Sequence, residues 1–349
     1  MEISKMMTIG VDVSDRQSHL CFLDHEGNVV RRAKVPTTET GLRKFLGKLD
    51  RARVVLEAST HSPWMSRLIS ELGHETVVAS PRQLKLISQS NTKNDTNDAE
   101  LLARLGRVDV KLLKPVHHRS REAQTDLAAM KVRRTLVTAR AALINSIRGI
   151  AKSHGLRVRA CAASSFVKYA RIGLSPELSE ELNPLIKTIE DLTNQISSQD
   201  ERIERLASKY PDTQLFLAVP GVGPVTAVTY LLTLEDKTRF KTSRAVGPYI
   251  GLVPRQDQSG KSDKELSITK AGDGELRALL VNCANAILKK SAPDSDLKRW
   301  GLKLAERGGP SPKKRAIVAV ARKLAVLLHR LWVTGEEFQP LRERPVQAA

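Results

Sequence analysis

Short apolar runs that alternate with helix-like segments fill the N-terminal part of the chain, and they constrain its fold more than any other feature. Strands are expected at 6–13, 18–24 and 29–35, as a three-stranded meander with the turn HEGN between the last two. Further strands are expected at 53–56 and 75–79, and helices at 38–49, at 62–72 and from Pro81. Strands that alternate with helices after a meander predict an α/β domain on a mixed sheet.

Helical patterns dominate from about residue 95 onward. A basic helix is expected over 120–154, irregular chain over 156–183 around Pro176 and Pro184, and a second long helix after it. That second helix carries a heptad-like seam of Leu185, Ile189, Leu192, Ile196, Gln199, Ile203 and Leu206. Two long helices separated by a break favour an antiparallel coiled-coil hairpin, which could also form a dimer surface; a local helical bundle is the alternative.

The rest of the chain is predicted to be a compact, mostly helical segment. Gly- and Ser-rich loops lead to helices near 274–290 and 312–333. The resulting domain prediction is 1–120 for the α/β part, 121–210 for the helical coiled-coil part and 211–349 for the C-terminal part.

The charge of the chain narrows its partners. There are 57 Lys and Arg against 38 Asp and Glu, a formal net charge of +19. Such a basic protein attracts polyanions, of which nucleic acid is the commonest, and no apolar run approaches the roughly 20 residues of a membrane helix. Aromatic residues make up only 4%, so stacking on bases is not expected to dominate binding. The three scattered cysteines form no metal or disulfide pattern, and we expect a cytoplasmic protein associated with the nucleoid.

Four acidic residues fall where an α/β sheet would bring them together. Asp12 and Glu57 each end an apolar strand, and Asp95 and Asp98 lie three apart at the start of a helix. Clustered carboxylates suit Mg²⁺ or Mn²⁺, and two such ions can clamp the attacking and leaving oxygens of a phosphodiester. An Asp on a first strand, a Glu on a later one and two acids on a following helix is the arrangement of RNase H-like nucleases and RuvC-type resolvases. Taken singly, each has an ordinary explanation, as a turn cap, a surface residue or a helix N-terminal acid.

The C-terminal segment offers two further candidates. The stretch LAVPGVGPVTAVTYL resembles a helix-hairpin-helix turn in which Gly221 and Gly223 expose backbone amides to a phosphate, or else make a packing corner. Ser259 lies in a polar loop, and an exposed serine beside cations can attack a phosphodiester. By chemistry alone this second signal is weak, because Ser-Gly pairs are common in surface loops. The nearby cations are Lys261, Lys264, Lys270 and Arg277.

The order of these segments resembles the IS110 family of insertion-sequence transposases over nearly the whole chain. GVDVS, LEAS and KNDTNDAELLA resemble the DEDD motif of that family, and PGVGPVTA, GLVPRQDQSG and ITKAGDGELRALL resemble its C-terminal transposase domain. The middle part matches only in helical character.

The resemblance implies a mechanism and partners. Asp12, Glu57, Asp95 and Asp98 would form a RuvC-like Mg²⁺ site, and Ser259 would form a covalent phosphoserine with DNA, with Ser262 as the alternative nucleophile. The enzyme would act as a homodimer or homotetramer. A structured non-coding RNA from the element would pair with target and donor DNA, while the basic helix around Arg133, Arg134, Arg140 and Arg148 would face nucleic acid or be a solvated face.

Three other functions fit parts of the sequence. A RuvC-like metal-dependent endonuclease of the Holliday-junction type would need only the four acids. A non-catalytic nucleic-acid-binding protein would bind in a salt-sensitive way without cleaving. A DNA-repair scaffold would explain Gly221 and Gly223 but neither Asp12 nor Glu57.

Overall fold

The computed structural model describes residues 6–87, 95–259, 262–308 and 311–341. The chain forms two compact units, with the boundary between Arg119 and Ser120. The middle helices and the C-terminal segment thus belong to one unit. No helix in the described part of the chain is long and apolar enough to cross a membrane.

The N-terminal unit is built on a five-stranded mixed sheet in the order β3-β2-β1-β4-β5. The first three strands are antiparallel neighbours, and β4 and β5 continue the sheet in parallel with β1. The predicted mixed α/β sheet is therefore confirmed. Its elements are β1 (Thr8–Asp12), β2 (Gln17–Leu23), β3 (Val29–Pro36), α1 (Glu39–Leu46), β4 (Arg53–Glu57), α2 (Ser62–Glu71), β5 (Glu75–Ala79), α3 (Pro81–Ile87) and α4 (Asp95–Val108).

Helices cover both faces of this sheet. Ile9 and Val11 of β1 pack with Leu42 of α1 and Met65 of α2 in one buried cluster. The residues between them face the other way, because side chains alternate along a strand. On that second face lies α4, through its small residues Ala99 and Ala103, both buried.

The C-terminal unit is mostly helical, as the sequence predicts. Its elements are α5 (Arg121–Ser153), α6 (Phe166–Gly173), α7 (Pro176–Lys209), α8 (Thr213–Leu217), α9 (Pro224–Leu234), α10 (Val246–Tyr249), β6 (Pro254–Ser259), β7 (Ser262–Ile268), α11 (Gly274–Ile287), α12 (Asp296–Ala305) and α13 (Pro312–Thr334). Its main core surrounds α9 and α13, where the buried Tyr230 hydroxyl donates to the Ala325 carbonyl over 2.6 Å.

Helices α5 and α7 run antiparallel. Lys209 Nζ reaches Asp126 Oδ2 at 2.7 Å near one end of the pair, and Arg140 reaches Thr193 Oγ1 at 3.2 Å farther along. Of the heptad-like seam, Ile189, Ile196 and Ile203 are buried. The alternate row of Leu185, Leu192, Gln199 and Leu206 is half-buried.

Two local expectations were wrong. The stretch 156–183 is irregular only in the part before α6, since the rest contains α6 and the first turns of α7. Pro176 occupies the first turn of α7, where a missing N–H costs nothing, and Pro184 is accommodated inside the helix between the buried Leu182 and Ile186. The polar loop expected around Ser259 is instead the hairpin β6–β7, whose ladder forms despite its polar side chains.

Candidate active site

Asp12 and Glu57 end neighbouring parallel strands at matching positions. The β1–β4 register runs from Thr8 opposite Arg53 to Val11 opposite Leu56, so Asp12 and Glu57 are the next pair along the two strands. Paired positions on adjacent strands point to the same face, and adjacent strands lie about 4.8 Å apart. Both carboxylates therefore lie at one edge of the sheet, on the face covered by α4, and both side chains are half-buried.

Two glycines set the position of α4 above the carboxylates of Asp12 and Glu57. A Cβ on Gly10 would lie 1.9 Å from the Ala99 carbonyl oxygen, and one on Gly106 would lie 2.3 Å from Val55 Cγ2. Because Arg53 at the start of β4 donates to the Gly106 carbonyl over 3.0 Å, α4 runs opposite to β1 and β4. The N-terminal end of α4 thus lies toward the carboxyl ends of these strands.

That end of α4 carries the other two acids. Asp98 directly precedes Ala99 and is half-buried, so it lies on the same side of the sheet edge as Asp12 and Glu57. Asp95 begins α4, but its side chain lies outside the described residues. Within the described side chains, no group of three or more His, Cys, Asp or Glu is close enough to hold a metal ion. The donor set of the predicted site is entirely carboxylate oxygen, which fits Mg²⁺ or Mn²⁺ and not zinc.

His19, which is not part of the four-acid pattern, also lies at this edge of the sheet. It is the register partner of Asp12 on β2, and Lys34 of β3 is in turn its partner. All three positions share the face on which Arg32 pairs with Glu100 of α4 at 2.6 Å. The signal was present in SHLCFLD, where a lone histidine stands on the same strand face as Cys21 and Leu23.

The loops that follow β1 and β4 are tied together. Trp64 Nε1 donates to His61 Nδ1 over 3.2 Å, so that His61 Nε2–H faces Asp15 Oδ1 at 3.1 Å. His118 Nε2 lies 2.7 Å from Ser62 Oγ in the same unit. Burial, with Arg67 and Arg119 nearby, lowers the pKa of His118. These contacts fix the chain around the carboxyl ends of both acid-bearing strands.

Ser259 is the last residue of β6 and pairs with Ser262, the first residue of β7. Both candidate nucleophiles therefore lie at the tip of one hairpin, joined by Gly260 and Lys261, which are outside the described residues. Lys264 is the register partner of Asp257 farther down the ladder. The side chains of Ser259, Ser262 and Lys264 are likewise outside the described part of the chain.

The base of this hairpin is held by a close crossing of two chain segments. Gly251 and Gly272 both have positive φ, and a Cβ on either would lie 2.2 Å from backbone of the other segment. Arg277 Nη1 donates to the Ile250 and Ala271 carbonyls over 2.9 and 2.7 Å, and Lys270 N–H donates to the Gly251 carbonyl over 3.2 Å. Arg277 thus has a structural role in the fold, and its predicted contact with nucleic acid stays a prediction.

The turn between α8 and α9 places its two glycines differently. Gly221 has φ +88° and lies against α11, where a Cβ would meet Ile287 Cγ1 at 3.1 Å. Gly223 caps α9, is exposed, and has open space where a Cβ would go. Gly221 serves as a packing corner, while Gly223 leaves the start of α9 accessible to a ligand; contact of either with nucleic acid stays a prediction.

The four α5 arginines that are expected to face nucleic acid all have protein partners. Arg133 pairs with Asp200 of α7, and Arg134 lies 3.6 Å from Glu275 of α11. Arg140 reaches Thr193, and burial together with Arg133 lowers its pKa. Arg148 lies over the Phe166 ring at 5.4 Å. Only Arg134 of the four is mostly exposed, at 60% of its side chain, so it is the one best placed to meet a ligand.

Comparison with known protein families matches both ends of the chain. A family model for the DEDD-type transposase of IS110 elements, described as "Transposase", matches residues 9–154, which include the four acids. A second model, "Transposase IS116/IS110/IS902 family", matches residues 213–298, which include Ser259.

Whole-chain relatives agree. The transposase for insertion sequence element IS1111A of Coxiella burnetii is 32% identical over 95% of this chain and 91% of its own length. The transposase for insertion sequence element IS1328 of Yersinia enterocolitica is 30% identical over 81% and 84%. The pilin gene-inverting protein of Moraxella bovis is 24% identical over 91% and 93%. These matches define a DNA transposase or recombinase. The chain belongs to the IS110 family of transposases.

Proposed function

We propose that this transposase cleaves and exchanges the DNA strands of its own insertion sequence with two sets of groups. Asp12, Glu57, Asp95 and Asp98 hold Mg²⁺ or Mn²⁺, and Ser259 is the nucleophile. The observation that carries the proposal is the register of β1 and β4, which puts Asp12 and Glu57 side by side under the Asp98 end of α4. A metal site at the edge of a sheet needs carboxylates from different elements to lie near one another.

The sheet supports an RNase H-like, RuvC-like assignment of the N-terminal unit. Its meander β1–β3 continues through parallel β4 and β5, and the acid-bearing helix α4 returns across β1. The same proposal includes a helix-hairpin-helix turn in the stretch 217–231 and a coiled-coil role for α5 and α7.

Carboxylate oxygens are the ligands that a hard divalent cation prefers, and the described carboxylates of Asp12, Glu57 and Asp98 would have to draw closer together to hold one. Asp12 and Glu57 supply oxygens from the sheet, and Asp98, with Asp95, supplies them from the helix. When bound at such a site, Mg²⁺ stabilises negative charge on phosphodiester oxygens. The carboxylates bind and orient it, and the tied loops around Asp15 and His61 keep their strands in place.

Ser259 carries the covalent step. Its hydroxyl gives up its proton to a base as Oγ bonds to phosphorus, while the bond from phosphorus to the leaving sugar oxygen breaks and that oxygen takes up a proton. A hydroxyl of the strand to be joined then attacks the phosphoserine, which restores a diester and the free serine. The phosphodiester bond energy is thus kept through the exchange.

Sequence choice is assigned to an element-encoded structured RNA that pairs with donor and target DNA. The net charge of +19 supports a protein that binds the phosphate backbone and makes no sequence-specific contacts with the bases. Self-association is assigned to a homodimer or homotetramer, supported by the half-buried row of Leu185, Leu192, Gln199 and Leu206 on α7.

A strand-cleavage assay with junction DNA, the element's RNA and Mg²⁺ tests the proposal. We expect Glu57→Gln to lose cleavage by at least about 100-fold, because the isosteric amide keeps the fold but removes a ligand charge. Asp15→Asn is the matched control, since Asp15 is an exposed acid near the same edge and the amide still accepts from His61. Wild-type activity in both variants would remove Glu57 from the mechanism.

A further inference from the structure

The C-terminal unit contains a cationic groove of about 910 Å³, bounded by α13, α12 and the base of the β6–β7 hairpin. No carboxylate lines it among the described residues. Five basic side chains do, namely Arg244, Lys314, Arg315, Arg322 and Lys323. On α13, residues 315, 318, 319, 322 and 326 recur at helical spacing and form one continuous face.

Among the described side chains, these cations have no close carboxylate partner, although the Asp296 carboxylate acts on Lys323 at longer range. Within the described part of the chain, none of the five lies within 4.0 Å of a carboxylate, whereas Arg299 and Arg330 nearby both do. The stem of Arg322 passes over Gly247, where a Cβ would lie 3.3 Å from its Cγ and Nε. The bare glycine thus lets this arginine lie along the groove with its charge available.

The floor of the groove is apolar. Val318 and Val326 of α13, together with Ile268 at the end of β7, form much of it, and Leu266 remains 42% exposed. Trp300 of α12 forms part of the wall, with Lys323 Nζ 4.2 Å from its ring centroid. A cationic rim over an apolar, tryptophan-bearing floor suits a ligand that carries negative charge and flat apolar surface in each unit.

We propose that this groove binds single-stranded nucleic acid, with phosphates on Arg244, Lys314, Arg315 and Arg322, and unpaired bases against the apolar floor and the part of the Trp300 ring that Lys323 leaves uncovered. A strand with splayed bases offers both kinds of surface at every nucleotide, whereas a duplex hides its base faces. From Arg315 to Val326 the groove follows α13 for about 16 Å. One tryptophan suffices in a chain poor in aromatics, because the cations supply most of the binding free energy.

The groove lies next to the element that carries the proposed nucleophile. The hairpin that forms one wall of the groove carries Ser259 at its far end. A strand held in the groove lies on the same element as the proposed nucleophile. The inference rests on the proposed function only in taking nucleic acid as the ligand, and it does not require serine chemistry.

Fluorescence anisotropy with full-length protein tests it, using labelled 20-mers of single-stranded DNA, single-stranded RNA and duplex DNA over a range of KCl concentrations. The groove variant is Arg315→Gln/Arg322→Gln. The control is Lys289→Gln/Lys290→Gln, which removes two charges from exposed positions of the same unit outside the groove. Trp300→Leu keeps the wall apolar but removes the stacking surface.

We expect the groove variant to weaken single-strand binding about tenfold and to lower the salt slope by about 1.4, at about 0.7 per phosphate contact. Trp300→Leu should weaken it about fivefold or more without changing the salt slope or duplex binding. The control should change by less than twofold. The DNA and RNA arms show which strand the groove prefers, and tighter binding of either single strand than of duplex supports the site.

Two results would overturn the site. One is a groove variant that binds like its control; the other is a Trp300→Leu variant with unchanged single-strand affinity. Both variants are also assayed for the covalent protein–DNA adduct. If the wild-type protein forms no adduct, that result counts against the proposed function alone. If the wild-type protein forms the adduct and both variants bind single strands as the wild type does, that result counts against the groove alone.

Discussion

The Ala99 carbonyl of α4 sits directly on Gly10 of β1, so closely that a Cβ on residue 10 would stand 1.9 Å from its oxygen. The same Cβ would lie 2.6 Å from the Ala103 backbone nitrogen. Both neighbours are backbone atoms, which no side-chain rotation can move aside. This contact sets the height of α4, and therefore of Asp98, above Asp12.

Gly10→Ala should lower the free energy of unfolding by about 3 kcal/mol, the upper end for overpacking, because the whole helix must shift. It should also weaken Mn²⁺ binding, since α4 carries two of the acids. Urea unfolding of the variant measures the first effect. Gly149→Ala is the control, because Gly149 lies inside α5 with open space where a Cβ would go, and the same substitution there should stabilise by about 0.5–1 kcal/mol.

Asp12→Asn should abolish the rise in melting temperature that Mn²⁺ gives the wild-type protein. A ligand that binds only the native state stabilises it by mass action, and the amide removes one charge from that ligand set. Differential scanning fluorimetry with and without Mn²⁺ measures the rise. An undiminished rise in Asp12→Asn, beside a normal rise in Asp15→Asn, would place the metal elsewhere.

The two adjacent arginines of α5 should separate structure from binding. Arg134→Gln should weaken nucleic-acid binding several-fold with no change in stability, because its side chain is 60% exposed and its ion pair is long. Arg133→Gln should cost about 0.5 kcal/mol of stability through its partly exposed pair with Asp200, and change binding less. Anisotropy and urea titration of both variants decide this, and the reverse pattern would contradict it.

His329 should make the C-terminal unit less stable as the pH falls. Its nitrogens face Ser243 Oγ at 3.0 Å and the Lys237 carbonyl at 3.2 Å, and burial lowers its pKa. The unfolded chain therefore binds the proton first, so stability is full above about pH 6.5 and is lost as the pH drops toward the folded pKa. We expect His329→Gln to lose less stability than wild type between pH 7.5 and 5.5, measured by urea unfolding. An equal slope would assign the pH dependence to other groups.

Periodicity and chain punctuation predicted much of the fold. The strand ends at Glu57 and Ala79 and the start of α1 after Thr38 follow from apolar runs and a capping side chain. Pro184 misled because a proline inside a long helix costs one hydrogen bond, which the buried residues around it outweigh. The hairpin at Ser259 could not be read because its strands lack apolar alternation.

Some features of the candidate site could likewise be predicted from the sequence, and others could not. Asp12 and Glu57 could be found from the sequence, because a carboxylate at the end of a buried strand stands out. Their pairing in register, the approach of α4 through Gly10 and the neighbourhood of His19 depend on strand order, which local sequence does not encode. The groove around Arg322 and Trp300 joins elements far apart in the chain, so only the structure reveals it.

The most direct measurement is denaturing mass spectrometry of the protein. The protein is first incubated under native conditions with junction DNA, the element's RNA and Mg²⁺. We expect a nucleotide-bearing peptide modified at Ser259 in the wild type and in Ser262→Ala, and none in Ser259→Ala. Ser262→Ala is the matched control because the two serines are register partners on one hairpin. Cleaved strands with no adduct in any of the three proteins would contradict the account and indicate metal-dependent hydrolysis instead.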